Sequence, residues 1–562
     1  MVLKTRKKIR KLLIVTGIIG LVIVLFSFWF RFATSIPIPD IDTSLFSKNK
    51  VVRSDSFYSC GSGWLQKNRY GLWEMYIEGK PYERGIITGK LSSELIEKQE
   101  EAFIAQLREL VPSKLYINFL NQMVKWFNRN IYKLIPQEYL EEIYGVSQSA
   151  SDKFSFIGSN YCRILNYHAA HDIGHAMQQY HFTACTSFSV WGNKSTDSSL
   201  IIGRNFDFYA GDDFCKDKIV CFIKPEHGIP FAMITWGGMT GVTSGMNLKG
   251  LTVTINAGKS KIPFSAKTPV TIVAREILQY ASNIKEAFNI AKKSQLFISE
   301  SFMIGSAEDG ETAIIEKSPL KTALRTTDGN FIISTNHFLD TVFDDDKMNK
   351  ENILKSASFP RYQRTLELIN GHNKHDINTV SSILRNRFSI KDKAVGQGNE
   401  IAINQLIAHH SVIFSPQRRI IWVSTSPWQL GEYIAYDLNK IFHDYSTINK
   451  KSIVYEAKLT IPKDSFLSSV GFSNFLKYKE LKKKINLAIH NKEEVTDKTL
   501  NTFISLNPEY YEAYIIVNSY YQSRKNFSRA MSYCRLSLAK EVPSLEEKER
   551  IEKELLKCKS NL

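Results

Sequence analysis

Apolar residues fall along this chain in four textures. From Leu12 to Phe30 the run LLIVTGIIGLVIVLFSFWF holds nineteen residues without a charge, enough to cross a hydrocarbon core as one helix. Residues 31–184 are mixed, with stretches such as LSSELIEKQEEAFIAQLREL that repeat apolar positions at helical spacing. From Cys185 short β-rich runs follow one another: SFSVWG, SLIIGRNF, KIVCFIK, FAMITWGG and GLTVTINAG. A helical stretch comes next, TPVTIVAREILQYASNIKEAFNIAKKS, and strands return in SFMIGSAEDGETAIIEKSP and NFIISTNHF. PRYQRTLELI and INTVSSILRNRF read as helices and HHSVIFSPQRRIIWVST as a late hairpin. Strands, then helices, then strands predict an α+β unit of stacked sheets with helices on their faces, over residues 185–442.

The fourth texture is helical. LNPEYYEAYIIVNSYYQSRKNFSRAMSYCRLSLAKEVPS has the spacing of a tetratricopeptide (TPR) helical pair. Tyr514, Tyr521 and Ala530 fall where that repeat places bulky, bulky and small residues, and Pro508 and Pro543 bracket it. One such repeat cannot bury its own face. Residues 475–562 are therefore either a TPR-like α-helical appendage packed on the rest of the chain or a module that takes a protein partner.

Charge changes the picture at the N-terminus. The 562 residues carry 73 Lys and Arg against 56 Asp and Glu, a net +17. This length exceeds one core, and 43% hydrophobic residues exclude wholesale disorder. The basic excess gathers in the first eleven residues and in LKYKELKKKIN, without a nucleic-acid-binding signature, so no nucleic-acid partner is expected. KTRKKIRK suits an anionic membrane surface and should stay in the cytoplasm. Residues 1–11 then form a basic cytoplasmic tail and residues 12–30, Leu12 to Phe30, a single-pass transmembrane anchor. The rest would lie outside the cytoplasm, and in the periplasm if the source is Gram-negative. Ala33 to Ser35 offer a small-residue cleavage site for the rival reading, a signal peptide. The long apolar run and its bulky aromatic end favour an uncleaved anchor.

Seven cysteines, Cys60, Cys162, Cys185, Cys215, Cys221, Cys534 and Cys558, leave at least one free thiol in an exported chain. Cys215 and Cys221 are candidates to pair with each other. Cys185 stands out by its setting, FTACTSFSVWGNKSTDSSLIIGRNFDF. A thiol is a useful nucleophile as a thiolate, which needs help from its surroundings. A turn at NKSTDSS and a bend at Gly203–Arg204 would return Arg204 and Asp207 toward it across a hairpin. No histidine lies in that hairpin. If the chain is cut before Cys185, the freed α-amine, with an intrinsic pKa near 8, can take the thiol proton, and Asp207 can hold that amine. Residues 31–184 would then be a pro-segment. Cys185 would attack the carbonyl of Ala184 in an N-to-S shift, and water would release the new N-terminus. The plainer alternatives are a buried core thiol and a structural Arg204–Asp207 ion pair.

The stretches ACTSFSVWG, LIIGRNFDF, GMNLKGLTVTINAG, ISTNHF and SASFPRYQRTLELI, in this order, resemble the acyl-coenzyme A:6-aminopenicillanate acyltransferase family of autoproteolytic N-terminal-nucleophile cysteine acyltransferases and hydrolases. Acid ceramidase, N-acylethanolamine acid amidase and choloylglycine hydrolases are related. The resemblance implies a four-layer αββα sandwich and attack on linear amides. It makes Cys185 the nucleophile and new N-terminus, Arg204 and Asp207 the activating pair, Asn256 and Asn336 amide donors to the tetrahedral oxyanion, and Arg361 a supporting arginine. For Asn256 and Asn336 the plain alternative is turn satisfaction, and for Arg361 a solvated helix position.

In HAAHDIGHAMQQYH, His168, His171 and His175 share one helix face. His171 and His175 have zinc-protease spacing, with Asp172 where that motif has Glu. The stretch is read as pro-segment packing. FDDDKMNKEN lacks the glycine and the terminal Glu of a calcium loop. Neither metal nor cofactor is expected. The expected function is a membrane-anchored, self-processing cysteine amidohydrolase or acyltransferase. It would cleave an N-acyl amide or acyl-thioester substrate, fatty-acyl or lipid-like, through a thioester on Cys185 and pass the acyl group to water or an amine. The alternative is an inactive membrane scaffold that recruits a partner through its helical tail.

Overall fold

The computed structural model describes residues 2–48, 50–54, 56–111, 113–169, 172, 183–259, 266–444 and 452–562. The apolar run lies in helix α1 (Val2–Ala33). Its segment Lys8–Ala33 is long and apolar enough to cross a membrane and is not buried in protein.

Seventeen strands among the described residues form two sheets. Strands β1–β4 (Val51–Ser54, Phe57–Cys60, Gly63–Lys67, Trp73–Gly79) precede the hairpin β5 (Thr183–Val190) and β6 (Ile201–Phe208). Then come β7–β10 (Ile219–Pro225, Phe231–Thr235, Ser244–Asn247, Leu251–Ala257) and β11–β13 (Glu300–Ser306, Glu311–Lys317, Thr322–Arg325). Last are β14 (Phe331–Ser334) and β15–β17 (His410–Ser415, Ile420–Ser424, Tyr433–Asp437). The larger sheet runs β1-β2-β3-β4-β7-β8-β9-β10-β11-β12-β13, and the smaller runs β14-β5-β6-β15-β16-β17.

Period-two alternation sets the layers. Ile202, Phe222, Met303, Ile314, Val412, Phe414 and Ile421 fill one buried cluster to which both sheets contribute. Their neighbours point the other way. Cys221, Ile223, Phe302 and Ile304 pack with residues of α6 (Val270–Tyr280) and α7 (Ile284–Lys293). Ile201, Ile413 and Trp422 pack with residues of α9 (Ser358–Asn370) and α10 (Ile377–Leu384). In sequence, α8 (Lys347–Lys355) comes between these helix pairs. Each fully buried Ile or Phe contributes about 1.5–3 kcal/mol.

The residues before Cys185 share this architecture. β4 pairs with β7 in parallel from Trp73↔Ile219 to Gly79↔Pro225, while the other named pairs are antiparallel. Among the described residues, four α-helices of nine residues or more follow β4 before the hairpin: α2 (Pro81–Leu110), α3 (Lys114–Phe127), α4 (Gln137–Ser147) and α5 (Asn160–His168). α2 and α4 pack so closely that a Cβ on Gly85 would lie 2.1 Å from the Glu142 carbonyl oxygen. Buried Glu142 accepts from Arg84 Nη2 (2.6 Å) and from Arg275 Nη2 of α6 (3.2 Å), which ties the two sides of Cys185 together.

Five helices, α11–α15 (Val470–Asn491, Asp497–Leu506, Tyr511–Ser523, Phe527–Leu538, Leu545–Ser560), form the C-terminal region. Tyr514, Tyr521 and Ala530 are buried in its cluster, which also includes Leu406 and Trp428 of the body. Lys479 reaches Asp212 at 2.6 Å, and Asn507 Oδ1 accepts from the Gln397 amide at 2.9 Å. The region is therefore packed on the body along this seam. Two sequence expectations are corrected. All seven cysteines are free, so Cys215 and Cys221 are not paired. There is no bend at Gly203–Arg204 either: β6 is continuous. Gly203 is needed for packing, because a Cβ there would meet Val380 Cγ1 at 2.8 Å and the Phe188 ring at 3.1 Å.

Candidate active site

Register places the site. In the β5–β6 pair, Cys185 lies opposite Phe206, Ser187 opposite Arg204 and Ala184 opposite Asp207. Side chains directly opposite share a face, so Cys185 and Arg204 lie on one face of the hairpin, and Ala184 and Asp207 on the other.

The backbone of Cys185 is gripped on both sides. Its N–H donates to Asn336 Oδ1 at 2.9 Å. Its carbonyl accepts from Arg361 Nη1 at 2.6 Å. Arg361 also donates to Thr186 Oγ1 (3.0 Å) and, through Nη2, to Asn336 Oδ1 (2.7 Å). Asn336 Nδ2 donates to the Ala257 carbonyl (3.0 Å), which fixes which way the amide faces. Asn256 stands one step back. It accepts from Ser187 Oγ (3.0 Å) and donates to the Ser334 carbonyl (2.9 Å). The structure thus brings Asn336 and Arg361 into contact with Cys185, and Asn256 into contact with its neighbour on the same face.

Arg204 aims Nη2 at Cys185 Sγ, 3.8 Å away. The same guanidinium donates to the Thr243 carbonyl (3.0 Å), Ser244 Oγ and the Ile255 carbonyl. Asp207 is placed differently. It is fully buried, and neither carboxylate oxygen has a hydrogen-bond partner among the described residues. Burial pushes its carboxyl up to about 8, against the pull of Arg361 and Arg204. The Cys185 thiol is pushed up to about 11, first by burial. Asp207 and Glu300 add to the rise, and Arg204 and Arg361 oppose it. In the intact chain the two nearby arginines therefore do not outweigh desolvation, and the thiol is protonated at neutral pH.

Sequence reasoning missed a line of residues behind Arg204. His410 Nε2 lies 2.8 Å from Ser244 Oγ and 3.3 Å from Arg204 Nη1, and its Nδ1 lies 2.8 Å from His409 Nδ1. Arginine only donates. Ser244 Oγ accepts from Arg204, so its hydroxyl hydrogen is free to go to His410 Nε2. His410 then carries its proton on Nδ1 and gives that bond to His409, whose proton sits on Nε2. Burial drives both imidazoles well below their ordinary pKa, so both are neutral. His409 Nε2 has no polar partner among the described residues, and its ring edge meets Trp236 (5.0 Å) and Phe214 (5.5 Å). The HHS stretch read as the start of a hairpin. Ser244 is distant in sequence, so only the two-sheet packing joins it to His410.

Two further acids lie nearby. Glu300, buried at the end of β11, is raised well above the carboxylate range by burial and then by Asp172, against the pull of Arg204. Asp172 Oδ2 accepts from the Val270 amide at 3.2 Å, and burial pushes its carboxyl up to about 8. The zinc-type reading meets a packing role at His168, whose ring contacts the Ile164 carbonyl (2.9 Å) and Thr240 Oγ1 (2.8 Å). His171 and His175 lie outside the described residues. No set of three or more His, Cys, Asp or Glu placed to hold a metal occurs among the described residues.

An apolar cleft borders the cluster that holds Cys185, sharing Phe208 and Phe214 with it, although Cys185 itself does not line the cleft. Ile96 and Phe103 of α2, Tyr167 of α5, and Phe208, Phe214 and Trp236 line it. Phe206 and Phe208 stack in parallel at 5.7 Å and share one cluster with Cys185 and Phe214.

Comparison with known proteins gives a family match. Residues 191–425 match the family model of acyl-coenzyme A:6-aminopenicillanic acid acyl-transferase, the family that the motifs resemble. The matched stretch includes Arg204, Asp207, Asn256, Asn336 and Arg361 and begins after Cys185. Among curated proteins, an uncharacterized protein of Archaeoglobus fulgidus is 24% identical over 287 residues, 47% of each chain. Protein dcd1B of Dictyostelium discoideum is 20% identical over 263 residues, 43% of this chain and 50% of its own. The chain thus spans about half the length of the curated relatives it matches. Among solved structures, the Caenorhabditis elegans ortholog of N-acylethanolamine-hydrolyzing acid amidase is 17% identical with a TM-score of 0.31, covering 42% of this chain and 93% of its own. A mutant of conjugated bile acid hydrolase from Clostridium perfringens is 12% identical, also with a TM-score of 0.31, covering 46% and 93%.

Proposed function

We propose that this chain is a self-processing cysteine amidohydrolase or acyltransferase, anchored in a membrane by α1 with its N-terminus in the cytoplasm. The observation that carries the reading is the setting of the Ala184–Cys185 bond. On one side Asn336 and Arg361 hold the Cys185 backbone. Across the strand from Ala184, the buried Asp207 carboxyl has no hydrogen-bond partner among the described residues. Sγ attacks the Ala184 carbonyl, the C–N bond breaks as the thioester forms, and the thiol proton goes to the departing nitrogen. Water then hydrolyses the thioester, which leaves a carboxylate on Ala184 and a free thiol and α-amine on Cys185. The amine, as an ammonium, gives Asp207 the hydrogen-bonded cation that Arg204 and Arg361 do not supply. In turnover the neutral amine accepts the thiol proton and returns it to the leaving nitrogen of the substrate amide. The oxyanion is stabilised by amide donors, for which Asn336 and Asn256 each keep a second Nδ2–H beside the one given to the Ala257 or Ser334 carbonyl. The acyl group then passes from Cys185 to water or to an amine.

Two paired sheets with helices on their outer faces support the αββα reading, and the buried Tyr514, Tyr521 and Ala530 support the TPR-like reading of the tail. The aromatic lining of the cleft that borders the Cys185 cluster favours an apolar acyl group. The β4–β7 ladder and the Glu142–Arg275 pair support a pro-segment that stays bound after cleavage. The test is a denaturing gel, intact mass and N-terminal sequencing of the wild type and Cys185→Ala. The expected result is two chains from the wild type, one beginning Cys-Thr-Ser-Phe, and one chain from the variant. A folded wild type that stays whole would overturn self-processing and favour the scaffold reading.

A further inference from the structure

Helix α3 has two apolar faces and no fully buried residue. Ile117, Leu120, Val124 and Phe127 are half-buried toward the body, with Phe127 edge-on to Phe297 at 5.0 Å. The other face meets solvent. Leu115, Phe119 and Met123 recur at i, i+4 and i+8 and so form one stripe, with Tyr116 beside it. They are 83, 58, 50 and 48% exposed. A helix that belongs in water carries polar residues on such a face.

Charge and position name the occupant. From Ser113 to Pro136 the sequence has Lys114, Lys125, Arg129 and Lys133 and no acidic residue. Trp126, at the end of the exposed stripe, stacks on Phe30 at 5.9 Å and lies 5.6 Å from Trp29. Trp29 and Phe30 close the apolar run of α1. Arg129 lies 4.0 Å over the Trp126 ring and donates to its carbonyl. An apolar helix stripe flanked by aromatics and cations is the composition of a helix lying in the lipid interface.

We propose that α3 lies on the bilayer surface beside the outer end of α1. Its Leu115–Phe119–Met123 stripe sits at the boundary between headgroups and acyl chains, and its cations face anionic headgroups. The inference rests on the reading of α1 as a membrane span. It gives the catalytic unit a second point of contact and so a fixed orientation, because α2, which lines the cleft, leads through a three-residue link into α3. Asn121 of α3 also donates to the Ile157 carbonyl just before α5, the other helix lining the cleft (3.0 Å).

The test reconstitutes the full-length protein in nanodiscs of phosphatidylcholine, with and without phosphatidylglycerol. Each carries a phospholipid with a photoactivatable acyl chain, and adducts are mapped by mass spectrometry. The expected result is adducts on α1 and on residues 114–127, the latter rising severalfold with phosphatidylglycerol. The double variant Phe119→Glu, Met123→Glu lowers the α3 adducts severalfold and leaves those on α1 unchanged. Adducts on α1 with none on α3 in either lipid would overturn the proposal and leave the anchor standing. Adducts on neither helix would show that the anchor reading itself fails. Crosslinks between the α3 helices of two chains, with no lipid adducts there, would assign the face to a second copy and overturn the lipid assignment.

Discussion

Strand β6 carries two buried ionisable side chains three residues apart on opposite faces, and the fold treats them differently. Arg204 has partners at both terminal nitrogens: backbone carbonyls, Ser244 and His410 surround them, one N–H is left for the thiol, and only its buried Nε has no partner among the described residues. Asp207 has no hydrogen-bond partner among the described residues and stays neutral up to about pH 8. A buried ion without a partner costs several kcal/mol, so a fold keeps such a group neutral or supplies a counter-ion. The difference separates a group built for a resident atom from one built for an atom that does not yet exist. In the proposed mechanism the missing cation is the α-amine that cleavage creates.

That division can be broken by experiment. The largest effect should come from Asp207→Asn on turnover, by about 10²–10⁴-fold, with self-cleavage slowed much less, within about tenfold. N-acyl amide hydrolysis and a gel time course read the two steps separately. If Asp207→Asn blocks cleavage as completely as Cys185→Ala, the two-face division fails. Next, Arg204→Lys keeps the charge and loses the fork. Both steps should slow together, by roughly 10²-fold, because both need the thiol; a variant that slows only one would contradict the shared role. A smaller effect is expected from His410→Asn or Ser244→Ala, which loosen Arg204 without touching the thiol. The expected loss is about tenfold in kcat with KM little changed, as for an interaction felt mainly in the transition state. Equal loss in KM would place these residues at the substrate instead.

The smallest effect is on stability. In a Cys185→Ala background the chain cannot cleave, and Asp207 keeps its burial. The unfolded carboxyl ionises near its ordinary value of 3.8, and the folded one near 8. Between these values the unfolded chain binds fewer protons, so this group lowers stability as pH rises from about 4 to about 8. Above pH 8 its penalty is constant, and below pH 4 it vanishes. Asp207→Asn in that background should therefore gain stability relative to its parent across this window, measured by denaturant unfolding at several pH values. A gap independent of pH would mean that Asp207 is ionised throughout.

How much of this could be read from the sequence depended on distance along the chain. The β5–β6 hairpin was legible because alternating residues and a turn cluster are local. Cys185, Arg204, Asn336 and Arg361 were legible because they sit in motifs, although only the fold brings them together. Gly203 was misread as a bend, since a glycine in a strand can mean a bend or a close neighbour, and that neighbour, Val380, is remote. With the strand unbent, Arg204 and Asp207 fall on opposite faces, which spacing alone did not reveal. Ser244 and His410 carried no local mark. Nor did β1–β4: their runs are short, and β4 reaches β7 by a parallel crossover that spans the helices and the hairpin.

That crossover has a consequence for the history of the molecule. Before the proposed cut, β4 and β7 belong to one chain, and their encounter during folding is intramolecular. After it, the same seven residue pairs would join two separate polypeptides, one of them, on the proposed reading of α1, fixed in the membrane. Folding would then be a one-way event. The mature protein would persist because it unfolds slowly, and a denatured sample would have to reassemble from two pieces at a rate set by their concentration. The information that built the sheet would be spent in making the enzyme, and the membrane would hold the catalytic piece by a ladder of hydrogen bonds instead of by a peptide bond.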